Sequence, residues 1–321
     1  MTNKGDAFEA SVMDAAAMRG ATLRLDKSYY LKKAELADLQ YNGTSYEYRL
    51  MLAAGNTLLD YILATEGLND CSNLNAICLS DHLAVGGDVS DVLLHNPSIR
   101  RGISLKHNSD EQKSLRISER TTTICGCELT DAERTAIKDT LSVLTPHIGS
   151  LWHRLDVKPL KLCQQLTNII FSIFQRTPSD VLVNGIVQTI LGTHDYYKAV
   201  LRTDPRKSDY ITVYPINVNG SLPYPKTNFG KIKHLYTNIP DNSSLFSGLT
   251  PEMDEAARIY MITTEYWKVN FRLHNASSKV EDDLKFSIEI SIPDHFAKTL
   301  TIKDKNCPEA SLSAINKDLF G

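Results

Sequence analysis

The sequence predicts an α/β fold: a mixed sheet flanked by helices, with a β-rich C-terminal region packed against it. Three observations carry this reading. Apolar side chains recur at helical spacing over 6–19, 28–39 and 56–66. Short apolar runs then follow at 75–80 (NAICLS), 91–95 (DVLLH) and 102–108 (GISLKHN), punctuated by Gly-Gly and Asn-Pro. Beyond Gly192, strand-like segments dominate.

In chain order, residues 6–19 place Phe8, Val12, Ala15 and Ala16 on one helical face, with Asp6 near the start. Two more helices precede the apolar runs, which read as adjacent strands of one sheet. Helices are expected again at 130–144, 158–175 and 179–191, the second of them buried because LCQQLTNIIFSIF is apolar on most sides. Strands are expected at 196–203, 210–216, 231–236, 259–264, 268–274 and 285–292. No internal repeat or low-complexity linker divides the chain. Residues 1–145, with the first sheet, and 146–321, the helical middle and β-rich part, are therefore expected to pack as one body.

With 321 residues, 42% hydrophobic and 23% charged, the composition is that of a globular protein. No run approaches the ~18 consecutive apolar residues of a membrane helix. The polar start, Met1 to Asp6, does not read as a secretory signal. Six scattered cysteines suit free thiols in a reducing cytoplasm. Cys125 and Cys127 alone are close together, and a single C-x-C lacks the second ligand pair of a zinc site. The net charge of −3 is unevenly spread. Acidic residues outnumber basic ones over 1–95, whereas Arg100, Arg101, Lys106, Lys113, Arg116 and Arg120 reverse the balance, as does 197–236. Clustered positive charge is what phosphate neutralisation demands, although charge runs are also ordinary solvated faces.

The strongest local constellation joins Gly87-Asp88-Val89-Ser90-Asp91 to Ile103-Ser104-Leu105-Lys106. Side chains alternate along strands, so Asp91 and Leu93 share one face, and Ser104 and Lys106 share one face of the next strand. Pairing the strands can bring Asp91 and Lys106 together. Phosphodiester hydrolysis uses that combination: carboxylates hold Mg²⁺, and a lysine orients the water or stabilises developing charge. An Asp and a Lys at strand ends also occur in many proteins without such a role. A second acid often stands two residues before the lysine, where this chain has Ser104. Glu9 and Asp88 are the candidates to replace it. Glu9 borders the apolar stripe of the first helix and could point from its edge toward the sheet, although helix geometry alone favours an ordinary solvated glutamate.

Three passages, spanning most of the chain in order, resemble the HaeIII-like family of type II restriction endonucleases, within the PD-(D/E)xK nuclease superfamily. They are Asn3-Lys4-Gly5-Asp6-Ala7-Phe8-Glu9; Gly87 to Val92 with Ile103-Ser104-Leu105-Lys106-His107-Asn108 and Lys113 to Ser118; and Phe271-Arg272-Leu273-His274-Asn275-Ala276-Ser277-Ser278-Lys279-Val280-Glu281. The resemblance implies a restriction-endonuclease-like core within 1–145, Mg²⁺ as cofactor and double-stranded DNA as partner. It also implies a short palindromic target, GGCC being typical of the family. By matched motif, Asp91 and Lys106 become the catalytic residues, Glu9 the supplementary acid and Asp88 a further candidate ligand. Metal ligation by Asp91, Glu9 and Asp88 is then expected.

In the same frame, His107, Asn108, Lys113, Arg116 and Lys198 are candidate DNA contacts, Lys113 and Arg116 sharing a face if 110–118 is helical. Arg272, His274, Asn275, Ser277, Ser278 and Lys279 are rich in hydrogen-bond donors, with Arg able to read guanine; a polar hairpin turn suits the same residues. A palindromic site mirrors a two-fold protein, hence a homodimer. The rivals are a nuclease-like fold that binds DNA without cutting it, and a nuclease without base readout.

Overall fold

The computed structural model describes residues 3–79, 89–109, 111–155, 159–178, 181–182, 185, 188–189, 192–203, 208–216, 219, 221–223, 258–263, 267–275, 278–291 and 297–302. The chain opens with α1 (Lys4–Met18), a short strand β1 (Thr22–Leu23), α2 (Lys27–Tyr41) and α3 (Ser45–Glu66). Strands β2 (Asn75–Cys78), β3 (Val92–His95), β4 (Arg100–His107), β5 (Glu111–Ile117), β6 (Thr123–Ile124) and β7 (Cys127–Glu128) follow. Then come α4 (Asp131–Ser142), α5 (Pro159–Arg176), β8 (Tyr196–Arg202) and β9 (Tyr210–Ile216). The chain continues with β10 (Arg258–Thr263), β11 (Trp267–His274), β12 (Leu284–Ser291) and β13 (Lys298–Thr301).

Among the described residues the main sheet is mixed, in the order β1-β2-β3-β4-β8-β9-β13. β1/β2 and β4/β8 are parallel, and the other neighbours are antiparallel. A second antiparallel sheet runs β10-β11-β12-β5. Strands from both parts of the chain share both sheets, since β8 and β9 extend the first and β5 completes the second.

One apolar core lies between α1–α3 and the main-sheet face bearing Val92, Leu94, Ile103, Leu105, Tyr197 and Ala199. The other contains α4, α5 and the second sheet, and reaches Tyr196 and Ile216 on the opposite face. The alternation of Tyr196 and Tyr197 between cores is the period-two pleat at work. Both tyrosines are fully buried.

Helix α1 is capped by the Asn3 side chain, and α3 by a Thr44/Glu47 capping box. The expected one-sided apolar stripe of α1 understates its burial: every residue from Ala7 to Ala16 is buried. α2 and α3 both cover it. Gly55 makes the α3 approach possible, since a Cβ there would lie 2.6 Å from the Ser11 carbonyl oxygen. Burial leaves two of the three acids of α1, Glu9 and Asp14, without water, and α2 answers with two lysines: Lys32 pairs with Glu9 and Lys33 with Asp14.

Two expectations are corrected. Residues 111–117 form strand β5, paired with β12, and not a helix. The alternation of Leu115 and Ile117 with polar neighbours suits a half-buried strand. α3 begins at Ser45, eleven residues before the expected start, because its capping box and not its apolar run sets the end. The strand expected at 231–236 and Cys307 lie outside the described residues, as does most of the helix expected at 179–191.

Candidate active site

β3 pairs only with Arg100–Ile103 of β4, so residues 104–107 run past it while still pairing with β8. That overhang would leave the Leu105 amide without a strand partner on one side. Asp91, just before β3, fills the gap: its Oδ2 accepts from Leu105 N at 2.6 Å. The same oxygen accepts from Ser104 Oγ at 3.2 Å and from Lys106 Nζ at 3.3 Å. Three donors thus converge on Oδ2, and no hydrogen bond reaches Oδ1 among the described residues. The side chains of Lys106 and Asp91 remain 28% and 21% exposed, so solvent and ligand can reach both.

Ser104 is 1% exposed and aims its hydroxyl at Asp91. A carboxylate there would meet Asp91 head-on, so position 104 serves as a donor. The neighbouring acid comes instead from α1. Glu9 is 6% exposed. Burial, then repulsion from Asp91, pushes the Glu9 carboxyl up to about 8 against the pull of Lys32. Burial works against the Lys32 ammonium, yet Glu9 outweighs it and raises the Lys32 pKa, with Asp91 adding to the effect. Two acids and two lysines, from α1, α2, the β3 entrance and β4, therefore form one electrostatic unit.

Lys32 was not singled out in the sequence. Only its spacing from Glu9 across two helices distinguishes it, and that is invisible without their packing. Among the described residues no group of three or more His, Cys, Asp and Glu side chains is arranged to hold a metal. Asp88 lies outside the described residues. Among the described residues, the candidate carboxylates of this site are Asp91 and Glu9. Cys125 and Cys127 are buried, which raises both thiols and disfavours the thiolate form that zinc requires.

The sequence pattern of the HaeIII restriction endonuclease family matches residues 33–293. The chain belongs to that family. A curated relative, the type II restriction enzyme HaeIII of Haemophilus aegyptius, is 22% identical over 327 residues, covering 90% of this chain and 95% of the relative. No solved structure matches the chain. This member of the HaeIII family is accordingly a type II site-specific deoxyribonuclease built on a restriction-endonuclease-like α/β fold. Restriction endonucleases generally use a divalent metal. The family match begins after Glu9 and Lys32, so the case for those two rests on geometry.

The remaining sequence candidates scatter in this family member. Asn108, at the end of β4 with φ 51°, donates to Thr203 Oγ1 at 2.7 Å and accepts from Thr203 N at 2.9 Å. Its amide thereby clamps β4 to β8. Burial and the Lys4 charge lower the His107 pKa, which favours the uncharged ring. Lys198 is 2% exposed, enclosed beside Ser104 in the strand row. Enclosure takes it away from any phosphate at the surface in this conformation.

Arg116 is exposed but already faces Glu281 at 3.0 Å and Asp283 at 2.8 Å. Because β5 is a strand, Lys113 and Arg116 do not share a face as a helix would have required. His274 lies within 2.8 Å of both Ser287 Oγ and the Asn275 carbonyl, and Asn275 donates to the Lys279 carbonyl at 3.0 Å. Those two side chains build the turn, whereas Ser278 and Lys279 are exposed. Arg272 is half-buried, and Ser277 lies outside the described residues.

Two consequences can be measured. A Cβ at Gly102 would fall inside van der Waals contact of Ser90 Oγ and 3.1 Å from Tyr196 Cβ. Gly102→Ala is expected to cost about 1–3 kcal/mol of stability in a urea titration and to slow cleavage by displacing the Ser90–Asp91 segment.

The second concerns pH. With the folded Glu9 carboxyl at about 8 against an ordinary 4.5, the folded protein binds the extra proton between those values. The contribution of Glu9 is therefore fully present below 4.5 and is lost as pH rises towards 8. In EDTA, the parent should lose stability relative to Glu9→Gln between pH 5 and pH 8, read from paired denaturation curves.

Proposed function

We propose that this chain is a Mg²⁺-dependent PD-(D/E)xK endonuclease acting in the cytoplasm as a homodimer, cutting both strands of a short palindromic duplex, GGCC. The observation that carries the catalytic part is the convergence on Asp91: Lys106 Nζ lies 3.3 Å from Oδ2, and the buried Glu9 of α1 is the second acid. Mg²⁺ is commonly bound through one or two carboxylates plus water and substrate phosphate, so this pair is a sufficient protein donor set. Among the described residues Asp91 Oδ1 receives no hydrogen bond, which leaves it available to a hard cation. When bound, the metal supplies charge stabilisation at the phosphate and a more acidic water.

The chain's own residues then divide the work. Asp91 and Glu9 hold the cation, with Asp88 a further candidate ligand. Lys106 orients the attacking water and stabilises charge developing on the phosphate. Ser104 and the Leu105 amide fix the Asp91 carboxylate. No covalent intermediate is required. The exposed Ser278 and Lys279, together with Arg272 and Ser277, are the proposed DNA contacts of the C-terminal sheet. Arg116 and Lys113 can join them if DNA displaces the acidic partners of Arg116. The GGCC target follows from the resemblance to the family, and the dimer from the two-fold symmetry of such a target. With Glu9 as the second acid, Ser104 ceases to favour a protein that binds without cutting.

Digestion of a sequenced plasmid with Mg²⁺, beside EDTA, tests the reading. Discrete fragments ending at GGCC, lost in EDTA, are expected. Fragments at another sequence would discard the target and retain the chemistry. Cleavage undiminished by EDTA would overturn the metal dependence.

A further inference from the structure

Lys32 has a place in the site that hydrolysis alone does not explain. It leaves α2, crosses to α1 and forms an ion pair with Glu9, with side-chain exposures of 14% for Lys32 and 8% for Glu9. The Asp91 charge also acts on it. The buried carboxylate of the site is thus held by an ammonium on a flexible four-carbon stem. Two neighbouring carboxylates with nothing between them repel each other, and the buried one cannot be rescued by water. A lysine there performs, for the metal-free protein, the charge compensation that a divalent cation performs when bound.

The arrangement differs from the parallel pair one turn along. Lys33 joins Asp14, which accepts from Tyr29 as well. Lys33 is a structural tie between helices. Of the two α2 lysines, Lys32 is the one paired with an acid of the site.

We propose that Lys32 is a tethered placeholder cation: it compensates Glu9 in the metal-free protein and competes with the divalent ion for that carboxylate. This rests on the reading of Glu9 and Asp91 as the metal-facing pair. Competition has a definite sign. Removing the ammonium weakens the metal-free protein and tightens divalent binding, whereas a purely structural tie would weaken both states equally and leave affinity unchanged or poorer.

The test uses the full-length protein and Mn²⁺ alone, titrated by electron paramagnetic resonance of the free ion, with thermal melts in EDTA and in saturating Mn²⁺. Lys32→Met is expected to bind Mn²⁺ about ten-fold more tightly, the change that ~1.4 kcal/mol of altered binding energy produces. Its Tm should fall in EDTA and return most of the way towards the parental value with Mn²⁺. Lys32→Arg, which keeps the charge, should resemble the parent in both measurements. Lys33→Met should lower Tm equally with and without Mn²⁺. If Lys32→Met binds Mn²⁺ no better than the parent, or its Tm deficit persists undiminished in Mn²⁺, the proposal is wrong. Asp91→Asn separates the two levels of failure. If it leaves parental Mn²⁺ binding unaltered, the metal-facing pair itself is misassigned and the placeholder falls with it.

Discussion

Lys106→Ala and Asp91→Asn are each expected to reduce single-turnover cleavage by about 10²–10⁴-fold while leaving duplex binding largely intact. Lys106 is partly exposed and its ammonium lies 3.3 Å from Asp91, so truncation removes a charge without opening the core. Asn at 91 keeps an oxygen for the Leu105 amide, which holds the β3–β4 overhang in register, but surrenders the charge that a cation needs. The loss should therefore appear in the chemical step and not in the circular dichroism spectrum. A Lys106→Ala protein cutting within about three-fold of the parent would remove lysine from the chemistry, since positioned proton-transfer or charge-stabilising groups contribute far more than that.

The largest effect on stability is expected at Glu66. This residue ends α3, its side chain is 4% exposed, and it receives the Arg101 guanidinium at 2.7 Å and the Tyr197 hydroxyl at 2.7 Å. Those partners stand on β4 and β8, the strands that carry the site. Removing one member of a buried pair strands the other, at a cost of about 3–5 kcal/mol, so Glu66→Ala should unfold at much lower urea concentration. Arg101 also donates to the Ser221 carbonyl at 3.1 Å, which moderates the cost without cancelling it. Glu66→Gln retains an acceptor and should lose less. Equal losses for Ala and Gln would mean that charge, and not hydrogen bonding to Tyr197, dominates at this junction.

The sequence made some of this site legible and hid the rest for physical reasons. Asp91, Ser104 and Lys106 sit on adjacent strands, where the period-two pleat predicts who can meet, and the register Val92↔Ile103 brings them together. Glu9 was singled out through its motif, while helix geometry alone favoured solvent. Its burial depends on α2 folding over α1, a long-range event that no local pattern encodes. Lys32 shared that fate entirely.

The segment 110–118 misled because Lys113 and Arg116 suit either period. Its pairing with β12, some 170 residues later, decided the matter. His274 and Asn275 looked like reading groups because turn-building and base-contacting side chains are the same residue types. Lys198 looked available because a lone lysine in an apolar strand gives no sign of which face it takes.

The central claim is that the second acid of this site arrives from the first helix and not from the strand position occupied by Ser104. Single-turnover cleavage by Glu9→Gln and Ser104→Ala across a Mg²⁺ titration tests it directly. Glu9→Gln should lose at least about 10²-fold in rate at low Mg²⁺ and demand far more Mg²⁺ for what remains, whereas Ser104→Ala, losing one neutral donor, should stay within about ten-fold of the parent. A Glu9→Gln protein that cuts at the parental rate with the parental Mg²⁺ requirement would contradict the account.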